Sequence, residues 1–420
     1  MARVVVSLLA LALLGGLSLW LYVLGPDALA GPATQVLPLL SLPLFALYLL
    51  SALLVWRRPR GMLVPVLALA VVFRVVSVGE PPLLSSDCHR YAWDGLVQRA
   101  GHSPYAFPPQ DPALESLRDE LIHPRINRPS ARTIYPPGAQ LLYRFIPYDI
   151  DLLRLVMVLF DLLTMGLIAL LLRRLGKEPA KVVLYAWSPL VVLEVGNGGH
   201  MEAAMLPLLV GAVLALHASR HRLVGLLLGQ AVAMKLYPAL ALAALARGKP
   251  WRVLGCCALV VVGLYGLYGY EAGLDVLGFL PDYVRTAEDH NVGLRRLLES
   301  ALSPVFERPR TPAFLLCLAV LGFATVWIRR RGGPVVHQLG ALVGVYLLTL
   351  PTAFHPWYAL WWLPWICFRP RASALWLSAT LPLSYLKYAS PDGVMPTWVP
   401  LIEFIPAGLF FLAEERPWRR

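Results

Sequence analysis

The sequence predicts an all-α fold, a polytopic transmembrane bundle of about twelve crossings plus one re-entrant hairpin, built as a single integral membrane domain over residues 1–420. Three observations carry that expectation. Hydrophobic residues make up 58% of the chain and charged ones only 15%, and the apolar residues fall in long runs. A hydrocarbon core about 30 Å thick takes roughly 20 apolar helical residues to cross, and only a helix or closed barrel satisfies its own backbone there. Between the runs recur short basic clusters: 57–60, 173–181, 220–222, 247–252, 329–331, 369–371 and 416–420. They read as cytoplasmic stop signals. The net charge of +12 is therefore accounted for by membrane topology, and nucleic acid is not an expected partner.

In chain order, spans are expected near 4–24, 35–56 and 61–78, with Arg3 and the 57–60 cluster inside. The first run resembles a signal peptide but is long enough to read as an anchor. A long non-cytoplasmic segment, 79–150, follows. Spans near 151–172 and 182–198 bracket the inside cluster 173–181, and 203–217 returns the chain to Arg220 and Arg222. Residues 223–246 are apolar with basic flanks at both ends, and at about 1.5 Å per residue they make one crossing but not two. A re-entrant hairpin with Lys235-Leu236-Tyr237-Pro238 at its tip resolves the parity. Spans near 253–271, 311–328, 334–350, 357–368, 373–390 and 398–413 complete the chain, with 272–310 as a second outer loop. Both termini are then cytoplasmic. Four of the five cysteines lie in or beside apolar spans, so no disulfide framework is expected.

The segment 79–150 holds 11 of the 37 prolines and is nearly neutral, with eight acidic residues against seven arginines, which predicts a folded cap rather than a solvated charge run. At its start, Asp87, Arg90, Tyr91 and Asp94 occupy positions i, i+3, i+4 and i+7, one face of a helix. The two carboxylates stand about 10 Å apart along that axis, so they cannot share one proton. A carboxylate near an arginine at a membrane surface can deprotonate a sugar hydroxyl while the arginine meets a phosphate. The competing explanation is structural: Asp87 caps the helix and Asp94 pairs with Arg90 or Arg99.

Further polar groups fall at span ends on the same side. They are Asn197 to Glu202 with His200, Asp289-His290-Asn291 before an amphipathic stretch at 294–302, His355 ahead of Trp357 and Tyr358, and Arg125 to Arg132 before Tyr135. Ionisable groups there commonly line cavities, whereas Trp361, Trp362 and Trp365 are expected to form an interfacial aromatic belt, and the arginines to touch lipid head groups. Lys235 within the membrane calls for an anion, and a lipid phosphate fits. A metal held by His200, Glu202 and Asp87 is not expected, since their spacing matches no strong ligand signature. No phosphate-cradling glycine loop and no nucleophile elbow is present, which argues against nucleotide sugars.

At these residues the sequence resembles the C-type (GT-C) membrane glycosyltransferases, particularly bacterial polyprenol-phosphate-mannose-dependent mannosyltransferases. The matching pieces are Asp87-x-x-Arg90-Tyr91-x-Trp93-Asp94-Gly95, Gly101-His102-Ser103-Pro104-Tyr105, Thr133-Ile134-Tyr135-Pro136-Pro137, Gly199-His200-Met201-Glu202-Ala203, Lys235-Leu236-Tyr237-Pro238 and His355-Pro356-Trp357-Tyr358. One departure is Met201-Glu202, where many relatives carry Asn-Asp after Gly-His.

The resemblance implies a GT-C bundle in the cell (inner) membrane and inverting transfer of a hexose, mannose by analogy. The donor is a polyprenyl-phosphate sugar, the acceptor a glycan or glycolipid on the periplasmic or extracellular face, and no cofactor is needed. By motif, Asp87 is the expected base with Asp94 as second choice. Arg90 and Lys235 are expected at the donor phosphate, and Tyr91, Tyr135, His200, Glu202, Asn291 and His355 around the substrates. The rival is a transporter or lipid-linked sugar flippase, which predicts acidic relays inside spans; here the acids sit mostly at span ends.

Overall fold

The computed structural model describes residues 2–23, 33–82, 84–285, 293–351, 353–390 and 392–415, and among these every regular element is helical. Among the described residues helical turns occur in each expected span, several of them broken or short. Four helices among the described residues are long and apolar enough to cross a membrane alone: Pro38–Arg57, Ile150–Arg174, Pro250–Asp282 and Arg310–Arg331. A fifth span would be the broken pair Pro179–Ala186 and Pro189–Asn197, bent by 60°. The break has a local cause, because Ser188 precedes Pro189 and is pushed to extended backbone (φ −58, ψ 121). Five more apolar helices are shorter, among them Leu63–Gly79, Glu202–His217 and Val335–Thr349.

The chain divides into two compact units, the first comprising residues 1–77, 168–193 and 288–420 and the second residues 78–167 and 194–287. In the first unit the tryptophans depart from expectation. Trp361, Trp362 and Trp365 are buried to 1%, 0% and 2% exposure rather than ranged at a membrane interface. Residues 356–361 form a 3-10 turn started by Pro356, followed by one α-turn at Leu363–Ile366, so this stretch is no full crossing. It packs inward, and the Trp362 indole donates to the Gly340 carbonyl at 2.7 Å. The basic cluster 369–371 is likewise tied down, with buried Arg371 2.6 Å from Glu415.

In the second unit, the predicted cap is a folded layer. Helix Asp87–Arg99 and the 3-10 turns at Pro112–Leu117 and His123–Arg125 gather around a small core of Trp93, Val97, Leu114 and Ile126, and helix Pro137–Phe145 packs against the first helix. The two cap helices touch at Gly95, where a Cβ would lie 2.3 Å from the Tyr143 carbonyl oxygen. Two arginines expected at lipid head groups instead bind within the protein: Arg132 pairs with Asp275 at 2.6 Å, and Arg128 lies over the Phe279 ring.

Helix His221–Met234 packs closely on helix Pro250–Ala272 through Gly225 and Gly229, where a Cβ would meet Val253 and Cys257 backbone oxygens at 2.4 and 2.8 Å. The chain breaks at the predicted hairpin tip. Lys235 is extended (φ −147, ψ 141), and a 3-10 turn over Tyr237–Ala241 follows.

Candidate functional site

The start of the Asp87–Arg99 helix is fixed by Asn197, one of the polar groups noted at the span end, and by Arg154, which the sequence did not single out. Arg154, fully buried on helix Ile150–Arg174, donates from Nη2 to the Glu80 carbonyl (2.6 Å), from Nε to the Gly196 carbonyl (3.1 Å) and from Nη1 to Asp151 (3.0 Å). Asn197 donates to the Pro81 carbonyl at 2.7 Å. The strand of chain entering the helix is thereby fastened to the glycine-rich turn at 196–200. A charged residue inside an apolar run was the available signal for Arg154.

Asp87 then stands at the first turn with its side chain 13% exposed. Its Oδ1 accepts from Asn127 Nδ2 at 2.6 Å, and its Oδ2 accepts from the Tyr91 and Tyr135 hydroxyls at 3.4 and 3.3 Å. His200 Nδ1 is 3.9 Å from the same Oδ2. Burial, reinforced by neighbouring acidic groups, pushes both tyrosines well above their ordinary value of 10.0, so they remain donors. Tyr91 is clamped in turn, stacked on Tyr143 at 4.8 Å and edge-on to Tyr135 at 4.9 Å.

Asp94, two turns further and 1% exposed, is enclosed. It accepts from Arg90 Nε at 2.8 Å, Thr133 Oγ1 at 2.6 Å and Gln140 Nε2 at 2.8 Å. Gln140 also receives Gln98 Nε2 at 2.8 Å, which closes a polar network between the two cap helices. The structural alternative weighed for Asp94 is thus the arrangement seen, and Arg90, 4% exposed, spends its Nε on that carboxylate.

Lys235 has an anion already. Its Nζ lies 2.8 Å from Glu202 Oε1, with the carboxylate fully buried and the lysine side chain 15% exposed, and 5.6 Å from the centre of the Tyr135 ring. Tyr135 therefore touches both halves of the site, its hydroxyl on Asp87 and its ring beneath Lys235. On the far side, His200 Nε2 is 3.1 Å from Glu194 Oε2, a second residue missed in the sequence because it sits inside the apolar run 182–198.

Eight of the ten residues singled out from sequence lie in the second unit: Asp87, Arg90, Tyr91, Asp94, Tyr135, His200, Glu202 and Lys235. Contacts join Asp87, Tyr91, Tyr135, His200, Lys235 and Glu202 into one cluster, with Arg90 and Asp94 paired beneath the same helix. His355 belongs to the first unit, stacked on Trp357 with ring centroids 4.4 Å apart. Asn291 lies outside the described residues.

Chemically, the cluster offers a partly exposed carboxylate among hydrogen-bond donors and, across one aromatic ring, an ammonium. That pairing suits removal of a hydroxyl proton beside an anionic group. A model of glycosyltransferase family 87 matches residues 133–351, a stretch carrying Tyr135, His200, Glu202 and Lys235. No curated protein matches the chain.

Proposed function

Because the chain belongs to glycosyltransferase family 87, a membrane glycosyltransferase of the GT-C type, we propose that it moves a hexose from a polyprenyl-phosphate sugar to a hydroxyl of a glycan or glycolipid. Transfer takes place with inversion on the non-cytoplasmic face of the cell membrane, with mannose as the first sugar to test. The observation that carries the reading is Asp87: a carboxylate open to 13%, its back held by Asn127, Tyr91 and Tyr135, with the Lys235 ammonium beyond the Tyr135 ring. The basic clusters between apolar runs support the sidedness.

In this scheme Asp87 takes the acceptor proton as the acceptor oxygen bonds to the anomeric carbon and the carbon–phosphate oxygen bond breaks. In-line attack places hydroxyl and phosphate on opposite sides of the sugar, which asks for a base and a cation that are separated but fixed relative to each other. Tyr135 fixes them. Lys235 meets the donor phosphate, whose charge joins or displaces that of Glu202. Phosphate leaves readily once its charge is compensated, so the scheme calls for no cofactor. Asp94 and Arg90 serve as the scaffold that orients the helix, and Asp87 alone acts as base.

Purified protein in proteoliposomes, given a panel of polyprenyl-phosphate sugars and extracted glycolipid acceptors, tests this directly. A general base contributes about 10²- to 10⁴-fold, so Asp87→Asn is expected to lose that much transfer while keeping its unfolding temperature. Full transfer by Asp87→Asn would rule out Asp87 as the base.

A further inference from the structure

Glu194 has no part in the chemistry above, yet it is buried to 3% exposure and placed with unusual care. It lies on a π-helical turn, residues 192–197, the wide helical geometry that recurs at functional sites. The backbone after it doubles back, with the His200 amide donating to the Glu194 carbonyl at 3.1 Å. Gly199 takes φ +64, a conformation other residues rarely adopt. At Gly198 a Cβ would stand 2.7 Å from the His200 ring, so any larger residue would displace the imidazole.

The outcome is a line of three groups. Glu194 Oε2 is 3.1 Å from His200 Nε2, and His200 Nδ1 is 3.9 Å from Asp87 Oδ2. Both ring nitrogens face a carboxylate, which only accepts, but Glu194 alone lies within hydrogen-bond distance, so in a neutral ring the nitrogen facing Glu194 is the one that carries the proton. In the neutral ring the other nitrogen is then an acceptor, and it faces Asp87.

From this geometry we infer that Glu194 is a positioning residue of the transfer reaction: it holds His200 with its proton on Nε2, leaving Nδ1 to receive the proton that Asp87 takes from the acceptor. The inference rests on Asp87 as the base. The acceptor oxygen bonds to the anomeric carbon, the phosphate departs with the electron pair of the broken bond, and the acceptor proton passes to Asp87. A side-chain shift of about 1 Å brings Asp87 into hydrogen-bond range of Nδ1. His200 becomes an imidazolium whose charge Glu194 balances, and the proton returns through Asp87 to water when product leaves. Three donors already surround Asp87, and His200 relieves it of the proton those donors oppose.

The test has two readouts. In protein labelled with ¹⁵N-histidine and purified in detergent, the His200 ring signals, identified by their loss in His200→Gln, report which nitrogen is protonated. The Nε2–H form is expected in the wild type, with a shift towards Nδ1–H in Glu194→Gln; an Nδ1–H wild type or an unmoved signal overturns the inference. With polyprenyl-phosphate mannose and extracted glycolipids, Glu194→Gln is expected to lower kcat about 10- to 100-fold at unchanged donor KM, and Glu194→Asp to recover part of it. Unchanged kcat in Glu194→Gln beside an inactive Asp87→Asn sinks the inference alone, whereas an active Asp87→Asn sinks the base itself. If Glu194→Gln does not fold, the wild-type spectrum decides alone, and a His200 ring protonated on Nδ1, or on both nitrogens, overturns the inference.

Discussion

The Lys235–Glu202 pair yields a prediction whose sign is independent of any substrate. Nζ and Oε1 are 2.8 Å apart, the glutamate is fully buried, and the lysine keeps 15% of its side chain open. Removing one partner of a buried pair leaves an uncompensated charge and costs about 3–5 kcal/mol. Lys235→Met should incur that whole loss, because the carboxylate left behind has no route to water. Glu202→Gln leaves an ammonium whose side chain is partly open to solvent, so its loss should be smaller, about 1–3 kcal/mol. The double variant removes both charges and should be less destabilised than Lys235→Met, a coupling of about 2 kcal/mol or more. Denaturant unfolding of the purified protein in detergent, for the two single variants and the double, measures all three. A Lys235→Met protein no less stable than Glu202→Gln, or strictly additive losses, would refute the assignment.

Other expectations follow from the cap. Asp94→Asn should cost about 3–5 kcal/mol, since it strips the charge from a carboxylate that Arg90, Thr133 and Gln140 enclose, and should show as a lowered unfolding temperature with near-normal turnover in the protein that remains folded. Gly95→Ala drives a methyl group into the Tyr143 carbonyl at 2.3 Å and should destabilise the cap by about 1–3 kcal/mol or more, read as faster proteolysis within 79–150. Acid should loosen the cap in stages. Burial holds His89 below its ordinary 6.5. At Asp119 burial acts upward, but the Tyr148 hydroxyl and the amides of Ile122, His123 and Leu121 prevail and hold it below 3.8. Both groups bind fewer protons folded than unfolded, so stability rises with pH. The His89 contribution is complete above pH 6.5 and that of Asp119 above 3.8, and each is lost on acidification below those values. Pulse proteolysis across pH should show the fall, and Asp119→Asn should remove its lower part.

Much of the site was legible because it obeys helical periodicity. Asp87, Arg90, Tyr91 and Asp94 share a face at the predicted spacing, and the break at Lys235 falls where charge parity demanded one. What the spacing could not tell was which carboxylate stays open. Thr133 and Gln140, 39 and 46 residues along from Asp94, decide that by enclosing it, and partners at such separations leave no local pattern. Glu202 as the anion for Lys235 was hidden for the same reason. Glu194 and Arg154 were hidden differently, absorbed into apolar runs counted as spans, although a charge in such a run is itself a signal. Trp361, Trp362 and Trp365 misled because an aromatic cluster near a span end resembles an interfacial belt. The proline-started 3-10 turn instead folds them inward.

With Asp87 as base and Lys235 at the donor phosphate, as proposed above, one phenol sets the width of the reaction site. The hydroxyl of Tyr135 ends at Asp87 and its ring face lies against Lys235, so the gap between proton acceptor and cation is the breadth of that residue. A sugar bridging the two groups has to match this gauge. Discrimination among donors of different ring size or substitution would then begin with how firmly Tyr143 and Tyr91 wedge that single aromatic plane, before any contact to a particular sugar hydroxyl is made.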